Sequence, residues 1–242
     1  MATQDRREQE RARRRNDILM SARAVFAQDG FRRATVDQIA QRAEVAKGTI
    51  YLYFENKEAI LADLVLLALA ELHRQLRDAV EAHSILQPEG RLRAMADAYL
   101  AFSQRSPDYF RLLTAFDGGD LGGDLSPQRN QLILAASNRT LDLVAQAVSD
   151  GVALGVFAVR DARQAAAVLW AGLNGSLALL AHPIRRTMIQ TDLPGLYHAT
   201  LDILLKGFTC ADDVHGVDVP GTGAANSDAT GASNESNKEK MA

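Results

Sequence analysis

The residues best equipped for recognition chemistry in this chain fall together in Lys47-Gly48-Thr49-Ile50-Tyr51-Leu52-Tyr53-Phe54. Lys47 supplies a cation, Thr49 a hydroxyl, and Tyr51 and Tyr53 flat rings with a polar tip, which suits phosphate oxygens and base edges in a major groove. Gly48 lets a backbone approach such a partner closely, at about 1 kcal/mol of helix propensity relative to Ala. Taken alone, the β-branched and aromatic residues favour a strand. A lone strand would leave its backbone without partners, whereas a helix satisfies it internally and sets Ile50 and Phe54 on one face at i, i+4. The other reading of the tyrosines is that they cover a small core.

The elements around this segment follow a helical period, and no alternating strand of useful length occurs, so the chain is predicted to be all-α with about nine helices. A first helix over 11–28 buries Ile18, Leu19, Ala22, Val25 and Phe26, with Gly30 as its left-handed stop and Phe31 after it. Thr35 and Gln38 form a capping box for a short second helix that buries Val36, Ile39, Ala40 and Ala43. Glu44-Val45-Ala46 makes the turn, 47–54 the third helix, and Asn56 caps a fourth over 57–83 with Ile60, Leu61, Leu64, Ala68, Leu72, Leu76 and Val80 on one stripe. Further helices are predicted near 88–104, 107–116, 127–154, 161–181 and 193–209, with Ser106-Pro107, Ser126-Pro127 and Asp161 as starts. The expected organisation is an N-terminal arm and three-helix helix-turn-helix domain at 1–56, a helical bundle at 57–210 and a disordered tail at 211–242, which lacks aromatic residues.

The net charge of −3 conceals an asymmetry. Residues 1–57 hold 12 Lys and Arg against 8 Asp and Glu, and the remainder 15 against 22. A basic front on an acidic body implies a polyanionic partner for the front. No apolar run is expected to reach the ~18 residues of a membrane span, and the N-terminus lacks the apolar core of a signal peptide, so the expected compartment is the cytoplasm. The single Cys210 allows no internal disulfide and no cysteine-based zinc site, while oxidation across a dimer stays open.

The segment Thr35-Val36-Asp37-Gln38-Ile39-Ala40 through Lys47-Gly48-Thr49-Ile50-Tyr51 to Asn56-Lys57-Glu58 resembles the DNA-binding domain of the TetR family of transcriptional regulators, over about 50 residues. Glu44 stands where a glycine is usual and Ala46 where a serine often caps the recognition helix. The resemblance implies that Thr35, Tyr53 and Lys57 touch phosphates while Lys47, Gly48, Thr49 and Tyr51 enter the groove. The arginines at 6, 7, 11, 13, 14 and 15 read either as a solvated helical extension or as a phosphate or minor-groove arm.

The resemblance also implies a homodimer through the helices near 161–181 and 193–209, reading a palindromic double-stranded operator; Val168, Leu169, Gly172, Ser176 and Leu179, with Leu196, Tyr197, Thr200, Leu201, Leu204 and Phe208, form the stripes. Alternatively these stripes bury into their own core. An effector pocket is expected among Met95, Tyr99, Phe102, Phe110, Phe116, Asn138, Trp170 and Asn174, with Tyr109 nearby, for an apolar or amphipathic compound such as a drug, lipid precursor or acyl thioester. Basic residues to hold a sugar phosphate are missing from that set. The expected function is a ligand-responsive regulator, a repressor by family habit; the alternative is an all-helical small-molecule-binding protein or enzyme without DNA binding. Neither G-x-S-x-G nor an acid/base pair supports catalysis. No metal or cofactor is expected: Asp117–Asp124 lacks an EF-hand's alternating ligands, the glycines at 221–226 follow no strand, and the five histidines miss ligand spacing.

Overall fold

The computed structural model describes residues 2–83, 87–117 and 125–209, with side chains from Arg6 onward except at Asp117. The glycine-rich stretch 118–124, Cys210 and the 211–242 tail lie outside the described residues. Among the described residues there are ten helices and no strand: α1 Ala2–Asp29, α2 Val36–Arg42, α3 Lys47–Tyr51, α4 Lys57–Ala82, α5 Pro88–Arg105, α6 Pro107–Asp117, α7 Pro127–Ala153, α8 Ala162–Ala181, α9 Pro183–Ile189 and α10 Leu193–Thr209.

Local chemistry sets most of these boundaries. Gly30, at φ 76°, ends α1, and its N–H donates to the Phe26 carbonyl at 3.0 Å. Phe31 then meets Phe26 edge-on, ring centres 5.3 Å apart. Thr35 and Gln38 close a reciprocal capping box on α2. Asn56 accepts from the Ala59 N–H at 2.7 Å to start α4, and Asp161 accepts from Arg163 and Gln164 to start α8.

One apolar core runs from Ile18 and Ala22 of α1, through Ile39, Ile50 and Phe54, along α4 and into Phe102 and Val148. Helix α4, at 1.5 Å per residue, extends ~40 Å and packs on α1, α5, α6 and α7. Tyr197 of α10, fully buried, donates its hydroxyl to the Ala96 carbonyl of α5 at 2.8 Å.

Four departures from the sequence reading have physical causes. Helix α1 begins at Ala2, because nothing in the arginine-rich stretch breaks a helix. Helix α3 ends at Tyr51, with Leu52 as its C-cap; Phe54 N–H still donates to Ile50 O at 3.0 Å, so Ile50 and Phe54 stay buried. Helix α9, started by Pro183 and stopped by left-handed Gln190, is an element the sequence reading lacks: it spans seven residues and buries none, its Ile184 and Met188 both being exposed. Contrary to the expectation on membrane length, α8 carries 18 consecutive uncharged residues after Arg163 and is long and apolar enough to cross a membrane. Here it packs on α7, α9 and α10.

Candidate DNA-reading surface and effector cavity

Helices α1, α2 and α3 form the reading unit. Its turn contains Glu44 at φ 54°, a left-handed conformation that costs a non-glycine residue roughly 1–2 kcal/mol. The backbone before α3 is extended at Ala46, which offers no side-chain cap. With Ile50 packed inward, Lys47, Gly48, Tyr51 and Leu52 are exposed, Tyr51 at 49% and Leu52 at 72%. Thr49 and Tyr53 are half-buried and Thr35 is exposed. A Cβ added at Gly48 would meet nothing within 4 Å, so no neighbour inside the fold requires glycine there.

Two lysines beside this surface behave differently. Lys47 Nζ donates to Asp37 Oδ2 of α2 at 2.8 Å, and that bond holds the lysine above the usual ammonium range. Both side chains are at least half exposed, so the pair is easily exchanged for another anion. Lys57 turns inward: its ammonium donates to the carbonyls of Phe31, Ala34 and Arg32 at 2.8, 3.0 and 3.5 Å and sits 4.4 Å from the centre of the Phe31 ring. It clamps the α1–α2 connection, and all three of its donors are used. This corrects the expectation of a phosphate contact for Lys57.

Inside the body, α4, α5, α6, α7 and α8, with Leu201 of α10, line a cavity of about 250 Å³. Of the expected lining, Met95, Tyr99, Phe116, Asn138 and Trp170 are on its wall. Phe102 is fully buried in the core away from it. Phe110 stands behind Tyr99, with the rings edge-on at 6.0 Å. Asn174 also acts from behind, accepting the Tyr99 hydroxyl at 3.2 Å. These three are corrections to the predicted lining. Leu72 and Leu76 of α4 and Ser137, Thr140, Leu141 and Val144 of α7 are also on the wall, and their types alone do not mark them as lining. Among the described residues, no Lys, Arg, His, Asp or Glu lines the cavity. Polar side chains among the described lining are the hydroxyls of Tyr99, Ser137 and Thr140, the indole of Trp170 and the amide of Asn138, whose oxygen accepts from Arg163 at 2.8 Å.

Comparison with known proteins decides the family. Residues 18–64 match the family model "Bacterial regulatory proteins, tetR family", and residues 92–204 match "Tetracyclin repressor-like, C-terminal domain". The chain belongs to the TetR family.

Relatives of this TetR-family chain include the uncharacterized HTH-type regulator YhgD of Bacillus subtilis, 37% identical over 68 residues, covering 28% of this chain and 36% of that protein. The fatty acid metabolism regulator protein of the same organism is 51% identical over 47 residues, 19% of this chain and 24% of that protein. These alignments therefore span well under half of the relatives' own lengths. Among solved structures, the TetR-family regulator PfmR of Thermus thermophilus superposes with TM-score 0.62 at 23% identity, over 78% of this chain and 97% of that one. FadR of Bacillus subtilis, solved with stearoyl-CoA, gives 0.63 at 23%, over 79% and 97%. At such identities the superpositions establish the shared fold.

Contacts from cavity to reader are specific in this TetR-family chain. Arg23 of α1 lies 4.6 Å from the Tyr109 ring centre and 3.7 Å from Asp108, both on α6, next to the Phe110 that backs Tyr99. Arg15 of α1 pairs with Asp63 of α4 and stacks on Phe54 at 5.1 Å. Burial pushes the Asp63 carboxyl up, against the opposing pull of Arg15 and Arg129. On α8, Gly172 and Ser176 face α10 of the same chain: a Cβ on Gly172 would come within 2.8 Å of Leu204, and Ser176 shares a hydrogen bond with Thr200 at 2.9 Å. The outer side of this pair is exposed at Val168, Ala171, Gly175 and Ala178 of α8 and at Ala199, Ile203 and Gly207 of α10.

Proposed function

We propose that this chain is a ligand-responsive DNA-binding transcriptional regulator that holds a palindromic operator as a homodimer, represses there, and lets go when an apolar or amphipathic molecule fills its cavity. Residues 1–56 act as reader and 57–210 as sensor and dimerisation unit. The observation that carries the DNA half is the outward face of α3, where Gly48 has no internal reason to be glycine and Tyr51 is half exposed. Lys47, Gly48, Thr49 and Tyr51 enter the major groove, and Thr35 and Tyr53 hold phosphates. The largely apolar exposed outer face of α8 and α10, with Lys206 as its charged member on α10, supports the homodimer, which sets two recognition helices about one DNA turn, ~34–36 Å, or somewhat more apart. Such a regulator works in the cytoplasm.

The effector class follows from the wall. A cavity whose described lining is uncharged and largely apolar, with a few hydroxyls, one indole and one amide, accepts an alkyl or acyl chain and rejects a sugar phosphate. The relative named for fatty acid metabolism and the FadR structure with stearoyl-CoA support an acyl thioester as the specific member of that class. Entry favours the conformer in which α4 and α6, displaced together, mis-space the readers through Arg15 and Arg23. Fluorescence anisotropy on a duplex recovered from a random pool by the full chain tests this. Saturating stearoyl-CoA should release the duplex and free coenzyme A should not; unchanged operator affinity with stearoyl-CoA and with other long-chain amphiphiles rejects the mechanism.

A further inference from the structure

Where α1 runs past the core, its packed stripe changes chemistry rather than ending. Ile18, Ala22 and Val25 are buried against the bundle. Continued toward the N-terminus at about 100° per residue, the same stripe passes through Arg14, Arg11 and Arg7, while Arg6 and Arg13 stand on the opposite face. All five arginines are exposed. Arg11 fixes where the stripe points, because its guanidinium lies 5.9 Å from the centre of the Tyr53 ring, just beyond α3. Arg15 is already engaged by Asp63, whereas Arg7 and Arg14 form no ion pair among the described residues.

We propose that the extension of α1 is a phosphate clamp, in which Arg7, Arg11 and Arg14 grip the DNA backbone flanking the half-site that α3 reads. This rests on the DNA-binding reading above. The helical state of the extension selects the target: with side chains a helix is about 10–12 Å wide, too wide for a minor groove of about 6 Å, and α3 occupies the major groove. The flanking phosphate strand is what remains within reach. An anionic membrane surface would require apolar residues among the arginines, and residues 6–17 provide only Ala12.

The test compares two double variants of the full chain on a duplex recovered from a random pool by the unmodified protein. Arg7→Gln/Arg14→Gln should flatten the dependence of log affinity on log salt by about 0.9 for each phosphate no longer neutralised. Arg6→Gln/Arg13→Gln removes the same charge from the opposite face and should change the slope far less. Thermal unfolding of both variants should match the unmodified chain, since all four side chains are exposed. Equal slopes for the two variants, whether both altered or both unaltered, overturn the clamp while leaving DNA binding intact. If the unmodified chain recovers no duplex, the DNA-binding reading itself falls.

Discussion

The reader and the sensor of this protein depart from ideal packing in opposite directions. In the reader the departures point outward: an exposed Tyr51 and Leu52, an unneeded glycine at 48, a left-handed Glu44 and an uncapped α3. In the sensor they point inward, to a cavity ringed by side chains that elsewhere would be ordinary core. Unfilled volume lowers stability just as exposed apolar surface does, at roughly 24 cal/mol per Å³ in core truncations. Under the proposed function, each region thus holds in reserve an interaction that only a partner completes, DNA for one and a small molecule for the other.

The largest effect that would break this contrast is at the reading face. Thr49→Ala with Tyr51→Ala should weaken operator binding by about 100-fold or more, at ~1–3 kcal/mol per good contact, while the thermal midpoint changes little. An unaltered affinity would mean that α3 is mere surface. Lys57→Gln should do the reverse: it removes a clamp on three carbonyls and should lower stability by about 1.5–3 kcal/mol in denaturant titration, leaving the salt dependence of DNA binding nearly unchanged. Glu44→Gly should raise stability by about 1 kcal/mol through relief of its positive φ. Gly48→Ala sharpens the comparison further, since it should add about 0.5–1 kcal/mol of stability yet reduce DNA affinity by inserting a methyl at the groove.

The smallest expected effect concerns Asp63, whose carboxyl is pushed up by burial. Because its folded value lies above the unfolded one, its contribution to stability is full below the unfolded carboxylate range and is lost as pH rises through the folded value. Asp63→Asn should therefore gain on the unmodified chain as pH rises from the acid range toward neutrality in paired denaturant titrations. A gap between the two that is independent of pH would contradict the assigned cause.

The same contrast explains what the sequence makes legible. A residue facing away from its own fold is conspicuous, so Gly48, Tyr51 and the capping box at Thr35 can all be read from residue type and spacing. Lys57 was misplaced because its acceptors lie 23 to 26 positions earlier, a pairing that local patterning does not carry. Lining residues resemble core residues in type, so type alone does not separate Met95, Tyr99 and Asn138 on the wall from Phe102, Phe110 and Asn174 outside it. Beyond Asn138, the α7 wall is not legible, because periodicity alone does not say which side of that helix turns toward α4. Helix α9 buries nothing and, at seven residues, is too short for one i, i+4 pair, Ile184 and Met188, to mark it as a helix.

The hydroxyl of Tyr197 reaches from α10 to the Ala96 carbonyl, on a residue that also borders the void. One bolt therefore fastens the chamber's wall to the helix that would face a sister subunit. Whatever wedges that wall open leans on the seam between subunits as well, so occupancy and partnership would be weighed on a single balance.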